Sequence, residues 1–260
     1  MTLELVDTHC HLNHEDYDED RDEVRERALA ARVTRLLCIG YDRASSRRAA
    51  ELAAEPGLYA AVGIHPESAE EWNEEAGGEM ARLYDGGAGK VAAYGEIGLD
   101  YHWDTVPRPR QQAVFAAQIA FARSLSPTLP LIIHNREAQD DILAALRASS
   151  TPAPVVMHCF TGDTEAARAC LDAGCYLGIG GVATFKKSDA VRAAVAYAPL
   201  DRLLLETDCP YLAPQFKRGR RNEPSYLPAV AETVAAAKGL TVEEVAAATT
   251  ATARALFSMA

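Results

Sequence analysis

The sequence predicts an α/β protein, built as a single (β/α)8 barrel of the TIM type. Short apolar runs rich in β-branched residues recur along the chain, and stretches with apolar residues at i, i+3 and i+4 separate them. This alternation is typical of parallel strands connected by helices, and eight such units close into a barrel. The length of 260 residues, 48% of them hydrophobic, suits one sizeable core, so we expect one domain over residues 1–260.

Eight strands are predicted, and two of them have a continuously apolar centre. Leu131-Ile132-Ile133 and Leu203-Leu204-Leu205 contain no polar position, as expected of strands that helices cover on both faces. The predicted strands cover residues 5–10, 35–40, 58–64, 91–97, 130–134, 154–158, 175–180 and 202–206.

Helices are predicted between these strands from Ala-, Glu- and Arg-rich stretches with helical periodicity. The clearest examples cover residues 21–31, 111–122, 140–147 and 164–172. Thr241 and Glu244 have the spacing of a capping box, which predicts a last helix that runs to about Phe257.

The charge balance of the chain is strongly acidic, with a formal net charge of −11. This balance argues against a protein that coats nucleic acid with a broad basic face. It leaves open an enzyme that meets phosphate groups at a metal site, because such an enzyme needs only a local positive charge.

The six cysteines contain no Cys-x-x-Cys pair and most lie in or beside apolar runs, so we expect reduced, buried thiols. The N-terminus has no cationic and apolar leader, and no apolar stretch approaches the roughly 20 residues of a membrane span. We therefore expect a soluble, cytoplasmic protein without membrane contact, and a monomer in the absence of any partner helix.

Several of the predicted strands end abruptly in a histidine or an acidic residue. His9 and His11 lie two residues apart, so an extended strand directs both side chains the same way. The other such residues are Glu96, His134, His158 and Asp208. Because the carboxyl ends of barrel strands open on one face, we expect these six side chains to converge there.

Imidazole and carboxylate ligands without thiolate are typical of sites for Zn²⁺, Mn²⁺ or a similar divalent ion such as Mg²⁺. Six ligands exceed what one tetrahedral ion needs, which favours two ions that share a carboxylate. Such a pair can activate water and stabilise an in-line displacement at phosphorus.

The sequence resembles the TatD-type deoxyribonucleases, which are part of the amidohydrolase-like superfamily. The matching motifs follow the order and spacing of the family almost from end to end. They are Asp-Thr-His-Cys-His-Leu at 7–12, Gly-Ile-His-Pro at 63–66, Gly-Glu-Ile-Gly-Leu-Asp-Tyr at 95–101, His-Cys-Phe-Thr-Gly at 158–162, Glu-Thr-Asp-Cys-Pro-Tyr-Leu at 206–212 and Arg-Asn-Glu-Pro at 221–224.

The resemblance implies a role for each candidate ligand. His9 and His11 would bind one ion with Asp208, His134 and His158 would bind the second, and Glu96 would bridge both. It also implies a deoxyribonuclease that cleaves the phosphodiester bonds of DNA, with 3′→5′ exonuclease action on single strands. Asp208 and Glu96 are the candidate catalytic residues, because a ligand carboxylate such as Asp208 can accept a proton from the attacking water.

Four further residues are candidates for contact with substrate, namely His65, Arg136, Arg220 and Arg221. The planar guanidinium of Arg136 suits a phosphate oxygen, and residues 217–221 are the only dense basic run of the chain. Glu206, two residues before Asp208, is a candidate hydrogen-bond partner behind the ligands.

Other functions remain open at this stage. A hydrolase of a small ester or amide, like the phosphotriesterases, would use the same ligands, and so would a D-aminoacyl-tRNA deacylase, an activity that the resemblance also implies. A non-catalytic binding protein on this barrel would be expected to have lost ligands, and none of the six is missing.

Overall fold

The computed structural model describes residues 4–87, 89–103 and 105–259. Its strands are numbered in chain order. They are β1 (Leu5–Cys10), β2 (Val33–Ile39), β3 (Leu58–Val62), β4 (Val91–Asp100), β5 (Leu131–Arg136), β6 (Val155–Met157), β7 (Tyr176–Ile179) and β8 (Leu203–Leu205).

The α-helices are numbered in the same way. They are α1 (Arg21–Ala30), α2 (Arg43–Leu52), α3 (Glu74–Gly86), α4 (Arg108–Leu125), α5 (Gln139–Ser149), α6 (Thr164–Asp172), α7 (Asp189–Tyr197), α8 (Leu227–Lys238) and α9 (Val242–Leu256).

The strands form one eight-stranded sheet in which the spatial order is the chain order, β1 to β8. A helix follows each strand before the next one begins, and the strands run parallel, so the predicted (β/α)8 barrel is confirmed. The predicted helix over residues 164–172 coincides with α6, and Thr241 and Glu244 form the predicted capping box of α9.

The predicted end of the fourth strand at residue 97 is wrong, because β4 continues to Asp100 and is buried throughout. Its last residues pair with β5 in the register Gly98–His134 and Asp100–Arg136. Gly98 permits this pairing because its φ is +149° and an added Cβ would meet the His134 carbonyl oxygen at 2.0 Å. Gly98 therefore marks a close approach of two backbones and not the end of a strand.

The chain divides into two compact units. We name residues 1–37 with 159–260 the terminal unit and residues 38–158 the central unit. Large side chains such as Leu5, Tyr17 and Phe257 are fully buried in the terminal unit, and Tyr94 and Phe115 are in the central unit. Each unit therefore has its own apolar interior.

Five of the six cysteines are buried as predicted, and Cys159 is half-buried. Among the helices that the structure describes, none has the length and apolar character needed to cross a bilayer.

Candidate metal centre

In the terminal unit, the structure brings His9, His11 and Asp208 together, and we name these residues the terminal cluster. The Nε2 atoms of the two histidines lie 3.3 Å apart. Oδ1 of Asp208 lies 3.6 Å from Nε2 of His9 and 3.4 Å from Nε2 of His11. Ligand atoms around a tetrahedral zinc ion with bonds of 2.0–2.1 Å are about 3.4 Å apart, so the spacing of the three donor atoms fits one divalent ion.

Backbone hydrogen bonds hold the two parts of the terminal cluster in register. The amide of Asp208 donates to the carbonyl of His9 at 2.8 Å, and the amide of His11 donates to the carbonyl of Cys209 at 2.8 Å. The segment after β8 therefore continues along β1, and this pairing sets Asp208 beside the two imidazoles.

Asp7 holds two residues next to or within the terminal cluster, Thr207 and His9, by hydrogen bonds. It was not singled out from the sequence. Its carboxylate accepts hydrogen bonds from the amide and hydroxyl of Thr207, at 3.0 and 2.6 Å, and from the amide of His9 at 3.3 Å. Burial raises the pKa of Asp7 to about 7 despite these bonds. The available signal was its position two residues before His9 in an otherwise apolar strand.

In the central unit, Glu96, His134 and His158 meet, and we name these residues the central cluster. Oε1 of Glu96 lies 2.7 Å from Nε2 of His158 and 2.9 Å from Nδ1 of His134. These two nitrogens are 3.5 Å apart. Two imidazole nitrogens that face one carboxylate oxygen form a donor set that suits a second divalent ion.

Asp100 is a candidate functional residue that the sequence did not single out. Its Oδ2 lies 2.9 Å from Nε2 of His134, and its Oδ1 accepts the amides of His102 and Trp103. Burial alone would raise the pKa of Asp100, but the hydrogen bonds from His134 and these amides lower it to about 2. An ionised Asp100 thus holds the ring of His134 with Nδ1 towards Glu96. The signal was its place four residues after Glu96 on the same strand.

His65 lies beside the central cluster. Its ring centroid is 4.3 Å from that of His134, and its Nε2 is 3.8 Å from Oε1 of Glu96. Nδ1 of His65 accepts the amide of Glu67, so the ring proton lies on Nε2. Burial and the neighbouring His134 lower the pKa of His65 to about 3, which makes this side chain a neutral hydrogen-bond donor at physiological pH.

The three arginines with a predicted substrate role differ in their surroundings. Arg136 ends β5, is exposed, and lies with its guanidinium 5.3 Å from the ring centre of Trp103. Arg220 is exposed and has no carboxylate at ion-pair distance within the described residues. Arg221 forms a two-pronged ion pair with Asp20, at 2.8 and 2.6 Å.

Glu206 is completely buried, and its carboxylate accepts a hydrogen bond from the amide of Cys159. A further set of buried donor atoms comes from Asp7, Cys10 and Cys209. Both carboxylate oxygens of Asp7 already accept hydrogen bonds, from Thr207 and from the amide of His9. We therefore do not assign a metal to this set.

Comparison with known proteins finds metal-dependent hydrolases among the relatives of this chain. A family model described as "TatD related DNase" matches residues 6–258. The chain is 47% identical to an uncharacterized metal-dependent hydrolase, YabD, of Bacillus subtilis over 97% of this chain and 98% of that relative. It is 38% identical to a protein of Erwinia billingiae named 3'-5' ssDNA/RNA exonuclease TatD, over 98% and 99% of the two chains.

Solved structures agree with this comparison. The crystal structure of YjjV, a TatD homolog from Escherichia coli K12, superposes with a TM-score of 0.93 at 29% identity and covers 100% of both chains. A mutant organophosphorus hydrolase from Deinococcus radiodurans superposes with a TM-score of 0.60 at 16% identity, over 98% of this chain and 93% of that one, and shares the fold.

Proposed function

The chain belongs to the TatD related DNase family of metal-dependent hydrolases, and from this premise we propose that it is a deoxyribonuclease that degrades single-stranded DNA from the 3′ end. The observation that carries the proposal is the pair of histidine and carboxylate clusters, at or just after the ends of β1, β5, β6 and β8 and within β4. The name of the Erwinia relative supports the choice of a single-stranded substrate.

Two divalent ions are proposed as cofactors, with Zn²⁺, Mn²⁺ and Mg²⁺ as candidates. His9, His11 and Asp208 would hold one ion, and His134 and His158 would hold the other. Family resemblance supports Glu96 as the ligand shared by both. Bound ions of this kind lower the pKa of water and polarise a phosphoryl oxygen.

The protein residues would divide the remaining work. Asp208, whose Oδ1 lies within 3.6 Å of both imidazoles of the terminal cluster, would accept the proton of the attacking water. The neutral ring of His65, which lies beside Glu96, would donate a hydrogen bond from Nε2 to a non-bridging phosphate oxygen. The buried carboxylate of Glu206 would hold the backbone at Cys159, the residue after His158, by accepting a hydrogen bond from its amide.

Arg136 and Arg220 would contact backbone phosphates, because both are exposed and Arg220 has no carboxylate at ion-pair distance among the described residues. Arg221 is already engaged by Asp20, so its contribution to binding would be smaller than that of Arg220. We further propose that residues 1–260 act as one domain, since the family match runs through both units.

A single-turnover assay of metal-loaded protein on end-labelled oligonucleotides tests the proposal. We expect stepwise shortening from the 3′ end of single strands, slower cleavage of double strands, and no release of amino acid from D-aminoacyl-tRNA. A preparation of His134→Ala, purified in parallel, reports contaminating nuclease and should show background cleavage only. Equal cleavage by that variant, or hydrolysis of D-aminoacyl-tRNA alone, would overturn the assignment.

A further inference from the structure

The terminal unit contains an open depression of about 700 Å³ in the segment that follows Asp208. We name it the aromatic groove. Its lining combines two aromatic rings, four cations and one carboxylate, from Phe216, Lys217, Arg218, Arg220, Arg221, Glu223 and Tyr226. The motifs of the metal clusters do not account for this combination.

A tight turn presents the cations of the aromatic groove. The amide of Arg220 donates to the carbonyl of Lys217 at 2.9 Å, Arg218 has φ −52° and ψ 132°, and Gly219 has φ +82°. These angles define a type II turn, which requires glycine or a similarly permissive residue at its third position. Gly219 therefore allows Lys217, Arg218 and Arg220 to project from one short segment.

The charges of the aromatic groove are only partly neutralised. Arg221 pairs with Asp20, and Glu223 pairs with Arg27 through contacts of 2.7 to 3.1 Å. Within residues 4–87, 89–103 and 105–259, no carboxylate lies at ion-pair distance from Lys217, Arg218 or Arg220. In a chain with net charge −11, this leaves a local excess of three cations that is complementary to an anionic ligand.

An unusually exposed aromatic ring accompanies these cations. The side chain of Phe216 is 61% exposed, the most among the large hydrophobic residues that the structure describes. The ring of Tyr226 packs against the Phe216 ring in a T-shaped arrangement, with centroids 5.3 Å apart. The Lys217 ammonium lies 5.9 Å from the centre of the Phe216 ring. An exposed phenyl ring beside cations without a carboxylate partner suits an occupant that is both planar and anionic.

Hydrogen bonds connect the aromatic groove to the terminal cluster. Nδ2 of Asn222 donates to the carbonyls of Thr207 and Tyr211, at 2.8 and 2.7 Å, and the amide of Asn222 donates to Pro210. The segment that carries the cations is thereby fastened to the residues on either side of Asp208. A strand bound in the groove would be held at a fixed position relative to Asp208.

We propose that the aromatic groove is a subsite for single-stranded nucleic acid, in which one unpaired base stacks on Phe216 and the flanking phosphates bind Lys217, Arg218 and Arg220. A double helix cannot occupy it in this way, because its bases are already stacked and paired. The role of the subsite in catalysis rests on the proposed nuclease function, whereas binding itself does not depend on hydrolysis.

Fluorescence anisotropy of a labelled oligothymidylate of about 12 nucleotides, measured with full-length protein in EDTA, tests the stacking contact. Phe216→Ala should weaken binding by about 5- to 100-fold, and Phe216→Trp should retain or improve it. Tyr197→Ala is the matched control. Tyr197, the last residue of α7, is 46% exposed, and the guanidinium of Arg168 lies over its ring. This control should bind as the parent protein does.

An abasic backbone of equal length and a salt series test the two parts of the subsite separately. The parent protein should bind the abasic chain about as weakly as Phe216→Ala binds oligothymidylate. Replacing Lys217, Arg218 and Arg220 together with alanine should reduce the slope of log K against log salt by about 2. Arg82→Gln, an exposed cation on α3, should leave the slope unchanged.

Unchanged affinity in Phe216→Ala, or equal binding of the abasic and base-bearing chains, would overturn the subsite. Equal binding of double-stranded DNA would do so as well. Binding in EDTA without cleavage in the presence of metal would instead refute the proposed nuclease function and leave the subsite standing, so the two failures can be told apart.

Discussion

The terminal and central clusters use the same ligand types but are organised differently. In the terminal cluster three donor atoms lie 3.3 to 3.6 Å apart and are held by main-chain pairing of β1 with the segment after β8. In the central cluster two imidazoles contact one carboxylate oxygen at 2.7 and 2.9 Å. The first arrangement is positioned by backbone hydrogen bonds between distant segments, whereas the second is positioned by contacts among its own side chains.

This difference indicates where each cluster is vulnerable. The terminal cluster depends on the backbone, so a single side-chain change removes one donor and leaves the other donors in place. The central cluster depends on Glu96 and on the Asp100 carboxylate behind His134, so one change there alters several contacts together.

The largest expected effect comes from Glu96→Gln. Because Glu96 contacts both imidazoles of the central cluster and is the proposed shared ligand, we expect loss of bound metal from both clusters and loss of activity by several orders of magnitude. His11→Ala should remove metal mainly from the terminal cluster. Metal content per chain, measured by plasma mass spectrometry beside activity, distinguishes the two. Equal metal content in both variants would contradict the proposed sharing.

Asp208→Asn should separate turnover from binding. The amide keeps the size of the side chain but cannot take up a proton, so kcat should fall by about 10²- to 10⁴-fold with little change in KM. Steady-state kinetics on single-stranded DNA at saturating metal gives both constants. A loss confined to KM would show that Asp208 serves binding alone.

A smaller loss is expected from Asp100→Asn, because Asp100 acts through His134. Metal affinity or activity should fall by about 10- to 100-fold. Added metal should restore much of the activity, an effect that a purely structural role would not produce. Asp140→Asn, an exposed residue on α5 of the same unit, is the matched control and should match the parent protein.

The smallest effect concerns stability in the terminal unit. Burial alone would raise the pKa of Glu223, but hydrogen bonds from Arg27 and Ser225 outweigh it and lower the pKa from 4.5. The stabilisation is therefore present above pH 4.5 and is lost as the pH falls through the lowered folded-state pKa.

Glu223→Gln should therefore lower the free energy of unfolding by about 1 kcal/mol at pH 7, since the partner Arg27 is partly exposed to solvent. The difference from the parent protein should shrink in strongly acidic buffer. Urea denaturation at pH 7 and pH 3 measures it, with Glu26→Gln, exposed on α1, as the control. A difference that persists unchanged at pH 3 would point to packing and not to charge.

Much of the fold could be predicted from the sequence because strands and helices are marked by local periodicity. The Leu203–Leu205 run and the Thr241 capping box depend only on neighbouring residues, and both occur as predicted. The end of β4 was predicted too early, because the run used to place it stops at Ile97, directly before Gly98. Its function as a point of close backbone approach depends on His134, in another strand.

The candidate ligands could also be found from the sequence, since residue type and strand-end position are both visible there. Their supporting contacts could not. Asp100 is indistinguishable from an ordinary polar end of a strand until His134 is seen beside it. His65 likewise reveals its neutral state only when its burial beside His134 is known.

By itself, the sequence determined the order of the elements, the candidate ligands and the family, because these follow from local patterns and from the chemistry of the side chains. Tertiary structure alone decided which charges are neutralised. Arg221 and Asp20 are 201 positions apart and form an ion pair, while Arg220 next to Arg221 has no carboxylate at ion-pair distance in the described part of the chain. Such pairings depend on the paths of loops between distant segments, and no local periodicity encodes those paths.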